Sequence, residues 1–308
     1  MSKEICVTIC TRERPKMLAR CLSSVLPQLQ ASSLSASLVV VENGDQPSCR
    51  HTVLRMRERF PSVRIQYELE PELGIPFARN KAVETALSLK ADWIVFIDDD
   101  EEAQADWFEK LTAAIEEWNA DVFHGPVKLI YPENHPEWMR AKSFDGGARG
   151  AILETASTNN TLARARLFSD EGLGLRFDTH LRFTGGSDVE LFRRAVKAGA
   201  VIRWVDDAFV TEHVSDQRLA AKWLLGRTCR EAANASNLLI KEYGYRTALR
   251  VSAVRCGRLG LEAVIHATLT GLTVARPEIA SRHLFRTRNK ISKLTETLAL
   301  LSGLSVVS

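Results

Sequence analysis

Between residues 93 and 102 the chain reads Trp-Ile-Val-Phe-Ile-Asp-Asp-Asp-Glu-Glu, five apolar residues running straight into five carboxylates. The apolar half is too short for a helix of its own and is rich in β-branched and aromatic residues, so it reads as a buried strand. The strand must end where the acids begin, because adjacent carboxylates do not share a dry core without partners. A rigid strand thus delivers clustered negative charge to its carboxyl end, the edge at which open α/β sheets bind ligands. Carboxylate oxygens suit Mg2+ or Mn2+, and such ions bridge to phosphate oxygens. The pattern points to a metal–diphosphate site. The competing reading is a strand followed by a helix with an acidic first turn.

The segments before this stretch repeat one theme. Ile5–Cys10 reads as a strand, Thr11-Arg12-Glu13-Arg14-Pro15 as a polar turn, and Met17, Leu18, Cys21, Leu22, Val25 and Leu26 recur at helical spacing. Pro15 suits the first turn of that helix and Pro27 its end. Leu38–Val41 is a second strand running into Glu42-Asn43-Gly44-Asp45, strong turn chemistry. Val63–Tyr67 alternates as a third strand; Gly74–Asn80 then leads into a helix from about Lys81 to Leu89. Strands and helices in alternation imply a mostly parallel sheet covered on both faces.

After the acids, Trp107, Leu111, Ala114, Ile115 and Trp118 mark an amphipathic helix, and residues 121–127 read as a strand. Residues 131–157 are broken by prolines and glycines, as in a lid or binding segment. Ser157–Leu162 resumes a polar-tipped strand. Gly185-Gly186-Ser187-Asp188 opens a helix to about Lys197 with Asp188 near its N-cap; Val201–Val205 is a late strand, and a long helix spans about Arg218 to Lys241.

At 308 residues there is room for one large domain, or one with an appendage. A net charge of +3 gives no case for a nucleic-acid partner. The six cysteines form no Cys-x-x-Cys pair and no zinc spacing, and read as reduced, small apolar residues of a cytosolic protein. No signal peptide and no uninterrupted run of about 20 apolar residues stands in the sequence. Residues 241–308 hold eleven Lys and Arg against four acids, about +7, leaving about −4 for the remainder. Within them, Leu259–Val274 is largely apolar and is flanked by Arg250, Arg255, Arg258, Arg276 and Arg282. That suits a helix lying in a membrane surface, or equally a helical subdomain that shows its charges to water.

The order strand–Thr-Arg-x-Arg-Pro, strand–Glu-Asn-Gly, Gly-x-x-x-Ala-Arg-Asn, Phe-Ile-Asp-Asp-Asp, Asn-Asn, Gly-Gly-Ser-Asp resembles family 2 glycosyltransferases of the GT-A fold, over about residues 3–230. Gly74–Asn80, Asp98–Glu102 and Trp223-Leu224-Leu225-x-Arg227 look most like the bacterial exopolysaccharide subgroup, which includes succinoglycan-type β-1,4-glucosyltransferases. Each motif alone is weak; six in one order are not.

The resemblance implies a division of labour. Residues 1–102 would form the nucleotide-binding half and 103–240 the acceptor half of a catalytic domain, with 241–308 a basic helical extension and a candidate for membrane association. Thr11 and Glu42 would meet the base and ribose, where a carboxylate can accept the imide N–H of uracil. Arg12 and Arg14 are candidates for the diphosphate, and Arg79 and Asn80 would line the nucleotide pocket. Strand alternation sets Asp98 and Asp100 on one side and Asp99 on the other. Asp98 would face ribose or metal, Asp99 the nucleotide, and Asp100 would bind Mg2+ or Mn2+. His213 is a candidate third metal ligand, with a core-edge histidine as the plain alternative. Asp188 matches the family's general base, with Glu190 a second candidate and a pure helix cap the plain alternative. Asn159, Asn160, Gly186, Arg218, Trp223 and Arg227 fall on the acceptor or diphosphate side. Glu101 and Glu102 read as the first turn of the next helix or as acceptor-side surface.

The activity so implied is metal-dependent inverting transfer from a UDP-sugar, UDP-glucose first, to a glycan or undecaprenyl-linked oligosaccharide at the cytoplasmic face of a bacterial membrane. Two alternatives stand against it. A sugar nucleotidyltransferase would need a Gly-rich phosphate loop after the first strand, and residues 11–15 form none. A non-catalytic nucleotide-sugar binder would be expected to lack the acids that this chain keeps.

Overall fold

In the computed structural model, residues 3–133, 135 and 143–301 are described. They fall into two compact units. The first comprises residues 3–130, 143–183 and 187–213, the second residues 131–133, 135, 184–186 and 214–301. Part of the segment read as a lid, residues 134 and 136–142, lies outside the described residues.

The first unit opens with β1 (Glu4–Thr11), α1 (Pro15–Ala31), β2 (Ser35–Asn43), α2 (Arg50–Arg59), β3 (Arg64–Glu70), α3 (Ile75–Ser88) and β4 (Trp93–Phe96). These are the predicted alternations with one helix added, α2, which was not read from the sequence, and with two differences in bounds. Helix α1 runs through Pro27 to Ala31. The proline sits on the helix's exposed face, where water can meet the carbonyl that its missing N–H leaves open. Helix α3 starts at Ile75, six residues early, so Arg79 and Asn80 lie inside it. Its N-cap, Gly74, has φ +137°, and a Cβ there would stand 2.5 Å from Cβ of Arg182, so only glycine fits.

Next come β5 (Glu101–Ala103), α4 (Trp107–Glu117), β6 (Val122–His124), β7 (Val127–Ile130), β8 (Ile152–Leu153), β9 (Thr161–Arg164), α5 (Ser187–Lys197), β10 (Ile202–Trp204) and β11 (Val210–His213). Glu101 and Glu102 are thus strand, not the first turn of a helix. An eight-stranded sheet has the order β3-β2-β1-β4-β9-β6-β10-β8; a small second sheet has the order β5-β11-β7. The pairs β3–β2, β2–β1, β1–β4 and β6–β10 are parallel, while β9 runs antiparallel to both its neighbours. The sheet is an α/β sheet of mostly parallel pairs, as the alternation predicts.

Both faces are covered because the strands are apolar on both. Ile5, Val7, Ile9, Leu38, Val40, Trp93 and Val95 pack on one side with Leu18, Leu22, Val25 and Leu26 of α1. Cys6, Val39, Val41, Ile94 and Phe96 pack on the other with Ala78, Ala82, Val83 and Ala86 of α3. Each fully buried Val or Leu contributes about 1.5–3 kcal/mol, which fixes the strand register and, with it, the positions of the strand ends. The cysteines are free thiols.

The second unit holds α6 (Asp216–Leu219), α7 (Ala221–Tyr243), α8 (Tyr245–Leu272) and α9 (Pro277–Leu301). Residue 240 lies within α7. Among the described residues, no helix is long and apolar enough to cross a membrane.

Candidate active site

Parallel register brings the carboxyl ends of β1, β2 and β4 together: Thr11 lies opposite Glu42, and Thr8 opposite Phe96, two residues before Asp98. The polar groups there are closely tied. Thr11 Oγ1 donates to Asp99 Oδ2 at 2.6 Å, and Arg14 reaches the other Asp99 oxygen at 3.3 Å. Asp99 is therefore spent in holding the β1–α1 turn. Its carboxyl is pushed up by burial, with Thr11 and Arg14 opposing.

Glu42, 1% exposed, accepts from Tyr67 Oη at 2.6 Å, from the Cys49 N–H at 2.9 Å and from Ser48 Oγ. Burial pushes its carboxyl up, but the bonds from Ser48, Tyr67 and Cys49 outweigh it and the net shift is downward. It is an ionised strut for the loop after β2. Its neighbour Asn43 pins a second loop. Its Nδ2 donates to the carbonyls of Glu70 and Glu72, and its Oδ1 accepts the Gly74 N–H at 2.8 Å.

Asp98 and Asp188 face each other across Arg79. One guanidinium nitrogen stands 3.9 Å from Asp98 Oδ1, the other 4.0 Å from Asp188 Oδ2. Arg79 lies over the Phe177 ring at 5.8 Å. It is positioned by α3, Asp98 by the end of β4 and Asp188 by the first turn of α5, three elements locked by the same core. Although 43% of the Asp98 side chain is open, its carboxyl is pushed up to about 7. Lost hydration comes first, then the opposing pull of Arg79, then repulsion from Asp100, Asp99 and Asp188. Asp188 accepts the Val189 N–H at 2.8 Å and the Thr158 N–H at 3.4 Å, which aims its carboxylate while 18% stays open. Glu190 is differently employed: it is 5% exposed and takes the Arg194 guanidinium at 2.9–3.1 Å.

The acidic run is a tight turn: the Glu101 N–H donates to the Asp98 carbonyl at 3.1 Å, and Asp100 comes within 3.8 Å of Arg14. The small sheet then brings in His213. Val210 pairs with Ala103, Thr211 with Glu102 and Glu212 with Glu101. His213 follows directly on Glu212, the register partner of Glu101, and itself pairs with Ile130 of β7. His213 Nε2 is 3.8 Å from Glu102 and 48% exposed. Asp98, Asp100 and His213 offer carboxylate and imidazole donors that suit Mg2+ or Mn2+. Among the described residues, no three His, Cys, Asp or Glu side chains already converge as a cage. Mg2+ in nucleotide sites is commonly held by one or two carboxylates plus substrate phosphates.

Other expected residues take internal roles. Asn80 clamps Phe177, its Nδ2 donating to that residue's carbonyl at 2.9 Å and its Oδ1 accepting the N–H at 2.8 Å. Asn160, 0% exposed with φ +51°, accepts from Trp107 Nε1 at 2.7 Å and donates to the carbonyls of Pro126 and Ala208. Asn159 Oδ1 accepts from Ser157. Arg12 is exposed. In the second unit, Gly185 and Gly186 have φ +79° and +80°, and Asn234 Nδ2 donates to the Thr184 carbonyl at 2.9 Å. Trp223 carries the guanidinium groups of Arg218 and Arg227 at 5.9 and 5.7 Å from its ring centre.

Residues 6–179 match the family model described as glycosyl transferase family 2. The chain is 31% identical over 291 residues to the succinoglycan biosynthesis protein ExoM of Rhizobium meliloti (strain 1021), covering 86% of this chain and 92% of the other. Among solved structures it is similar to the mannosyltransferase PcManGT of Pyrobaculum calidifontis in complex with GDP-Man and Mn2+. That pair has a TM-score of 0.59 at 14% identity, over 96% of this chain and 88% of the other. It is also similar to S. aureus TarS 1-349 in complex with UDP, with a TM-score of 0.51 at 16% identity, over 97% and 92%. At those identities the structural likeness establishes a shared GT-A fold.

Proposed function

The chain belongs to glycosyl transferase family 2 and is a glycosyltransferase of polysaccharide biosynthesis, and from that premise we propose that it is a metal-dependent, inverting hexosyltransferase. The donor is a UDP-sugar, UDP-glucose first. The acceptor is a growing glycan or undecaprenyl-linked oligosaccharide at the cytoplasmic face of the plasma membrane. In this reading residues 1–102 serve the donor, 103–240 the acceptor, and 241–308 are a basic extension. The structural relatives carrying UDP, UDP-GlcNAc or GDP-Man with Mn2+ support a nucleotide-sugar donor.

One observation carries the reading: two carboxylates from different elements, Asp98 and Asp188, flank a single guanidinium at 3.9 and 4.0 Å. The strand-end acid suits the donor side and the helix-start acid the acceptor side. Asp188 takes the proton of the acceptor hydroxyl as that oxygen attacks the anomeric carbon. The bond from the anomeric carbon to the diphosphate breaks, UDP leaves, and one in-line displacement turns an α-linked donor into a β-glycoside. Asp98, Asp100 and His213 would hold Mg2+ or Mn2+, whose chemistry is to neutralise the departing diphosphate. Arg79 orients both acids and adds positive charge beside the leaving group. Gly186, Arg218 and Trp223 are proposed for the acceptor or diphosphate side, where a paired Arg–Trp surface suits phosphate and sugar faces.

The membrane part of the proposal rests on α8. Val254, Leu261, Val264 and Leu272 are 63–77% exposed, with Arg250, Arg258, Arg276 and Arg282 at hand for lipid phosphates. The enzymatic test is UDP release from a panel of UDP-sugars with and without Mn2+, for wild type and Asp100→Ala. Release that needs Mn2+ and falls in Asp100→Ala supports the reading. Release that is indifferent to chelation removes the metal from it.

A further inference from the structure

Glu101 is the acid that the donor chemistry leaves without a task. It is 1% exposed, and burial, followed by the charge of Asp98, pushes its carboxyl well above the ordinary range, with the Asp98 N–H opposing. Its Oε2 accepts the Asp98 N–H at 2.9 Å, while Oε1 has no hydrogen-bond partner among the described residues. A buried carboxyl with a bare oxygen is a poor core residue, and an apolar side chain would fill the place better. What an apolar side chain cannot supply is the acceptor. The β4 ladder ends at Phe96, and the Ile97 N–H reaches the Thr8 carbonyl at 3.3 Å; the next donor, Asp98 N–H, is met by the Glu101 side chain. The Glu101 N–H returns a bond to the Asp98 carbonyl at 3.1 Å. Two reciprocal bonds therefore brace the turn that carries Asp99 and Asp100. Glu101 is at the same time the register partner of Glu212, next to His213.

We infer that Glu101 is a positioning residue for the donor-side acids. It fixes the Asp98 backbone to β5, so that Asp98 and Asp100, and through β11 His213, keep one spacing. The inference rests on the donor reading above and extends it to a residue that touches neither nucleotide nor acceptor. Outer partners that orient metal-binding groups are commonly worth 10–100-fold in metal affinity.

Three full-length variants separate the acceptor oxygen from the carboxyl group. Glu101→Gln keeps a carbonyl oxygen for the Asp98 N–H and loses the carboxyl; Glu101→Leu and Glu101→Met lose both. Mn2+ affinity in the presence of UDP is read by electron paramagnetic resonance, alongside the thermal midpoint and the Mn2+ dependence of UDP release. The expected result is Gln within about threefold of wild type, and Leu or Met, whichever folds, weaker in Mn2+ by about tenfold or more. Leu or Met variants that bind Mn2+ like wild type would overturn the inference, and so would a Gln variant as weak as they are. Wild type that binds no Mn2+ with UDP would instead overturn the donor reading, and this inference with it.

Discussion

Replacing Asp188 by Asn separates what that residue does for the fold from what it does for the reaction. The amide oxygen can still accept the Val189 N–H now at 2.8 Å, and only the long bond from Thr158, 3.4 Å, is lost with certainty. The ion pair with Arg79 spans 4.0 Å and is partly open, so its loss costs at most about 1 kcal/mol. Arg79 keeps Asp98 at 3.9 Å. The folding cost sums to about 1–2 kcal/mol, small beside the stability of a domain this size. The catalytic cost is larger. An Asn cannot take the acceptor proton, and a general base is worth about 10²–10⁴ in rate, or about 3–5 kcal/mol of barrier. Initial rates of UDP release with acceptor present, paired with calorimetric UDP binding, separate the two. The expected variant binds UDP within about threefold of wild type and has a kcat lower by about 10²–10⁴. A folded variant within about tenfold of wild-type kcat would refute the assignment of the base.

Three further outcomes follow from the same geometry. Asn160→Ala leaves Trp107 Nε1 and the carbonyls of Pro126 and Ala208 without their buried partner. It should cost about 3–5 kcal/mol in denaturant unfolding; a loss under about 1 kcal/mol would mean that the side chain is not the strut described. His124 is buried, with Nδ1 2.7 Å from Thr161 Oγ1, and burial pushes its imidazole down to about 4, the Asn160 backbone and Asp188 opposing. Because the folded value lies below the ordinary 6.5, its stabilisation is present above pH 6.5 and is lost as pH falls toward 4. The unfolding free energy of His124→Gln should therefore drop between pH 7 and 4.5 by roughly 2–3 kcal/mol less than that of wild type; equal drops would contradict the buried neutral ring. The double variant Val254→Asp/Leu272→Asp should lose co-sedimentation with anionic vesicles while keeping UDP release; unchanged sedimentation would remove the membrane from the account.

Much of the fold was legible because it is local. The apolar runs at residues 5–10, 38–41 and 93–97 are strands, and acids or turn residues mark their ends. The small sheet was not legible. Glu101-Glu102 reads as an acidic first turn, yet it pairs with Thr211 and Glu212, over a hundred residues away, and only that distant partner makes it a strand. Pro27 reads as a stop, but a proline on an exposed helix face does not have to end the helix. The residues of the candidate site stood out as polar groups at strand and helix ends; their partners did not. Glu42 holds Tyr67 and Cys49, Asn80 holds Phe177, and Asn160 holds Trp107, each a contact across at least seven residues that no spacing rule encodes. Asn43 and Glu101 stood inside motifs but with no role of their own, and Thr158 with none at all; each became visible as the hydrogen-bond partner of another residue.

The central claim is a single displacement driven by Asp188, with Asp98 on the other side of Arg79. It is tested most directly by the anomeric configuration of the first product, read by proton NMR before further processing. An α-linked UDP-sugar should give a β-glycoside in wild type and no detectable early product in Asp188→Asn. An α-glycoside would contradict the account, because it requires two displacements or a front-face transfer that this arrangement of acids does not provide.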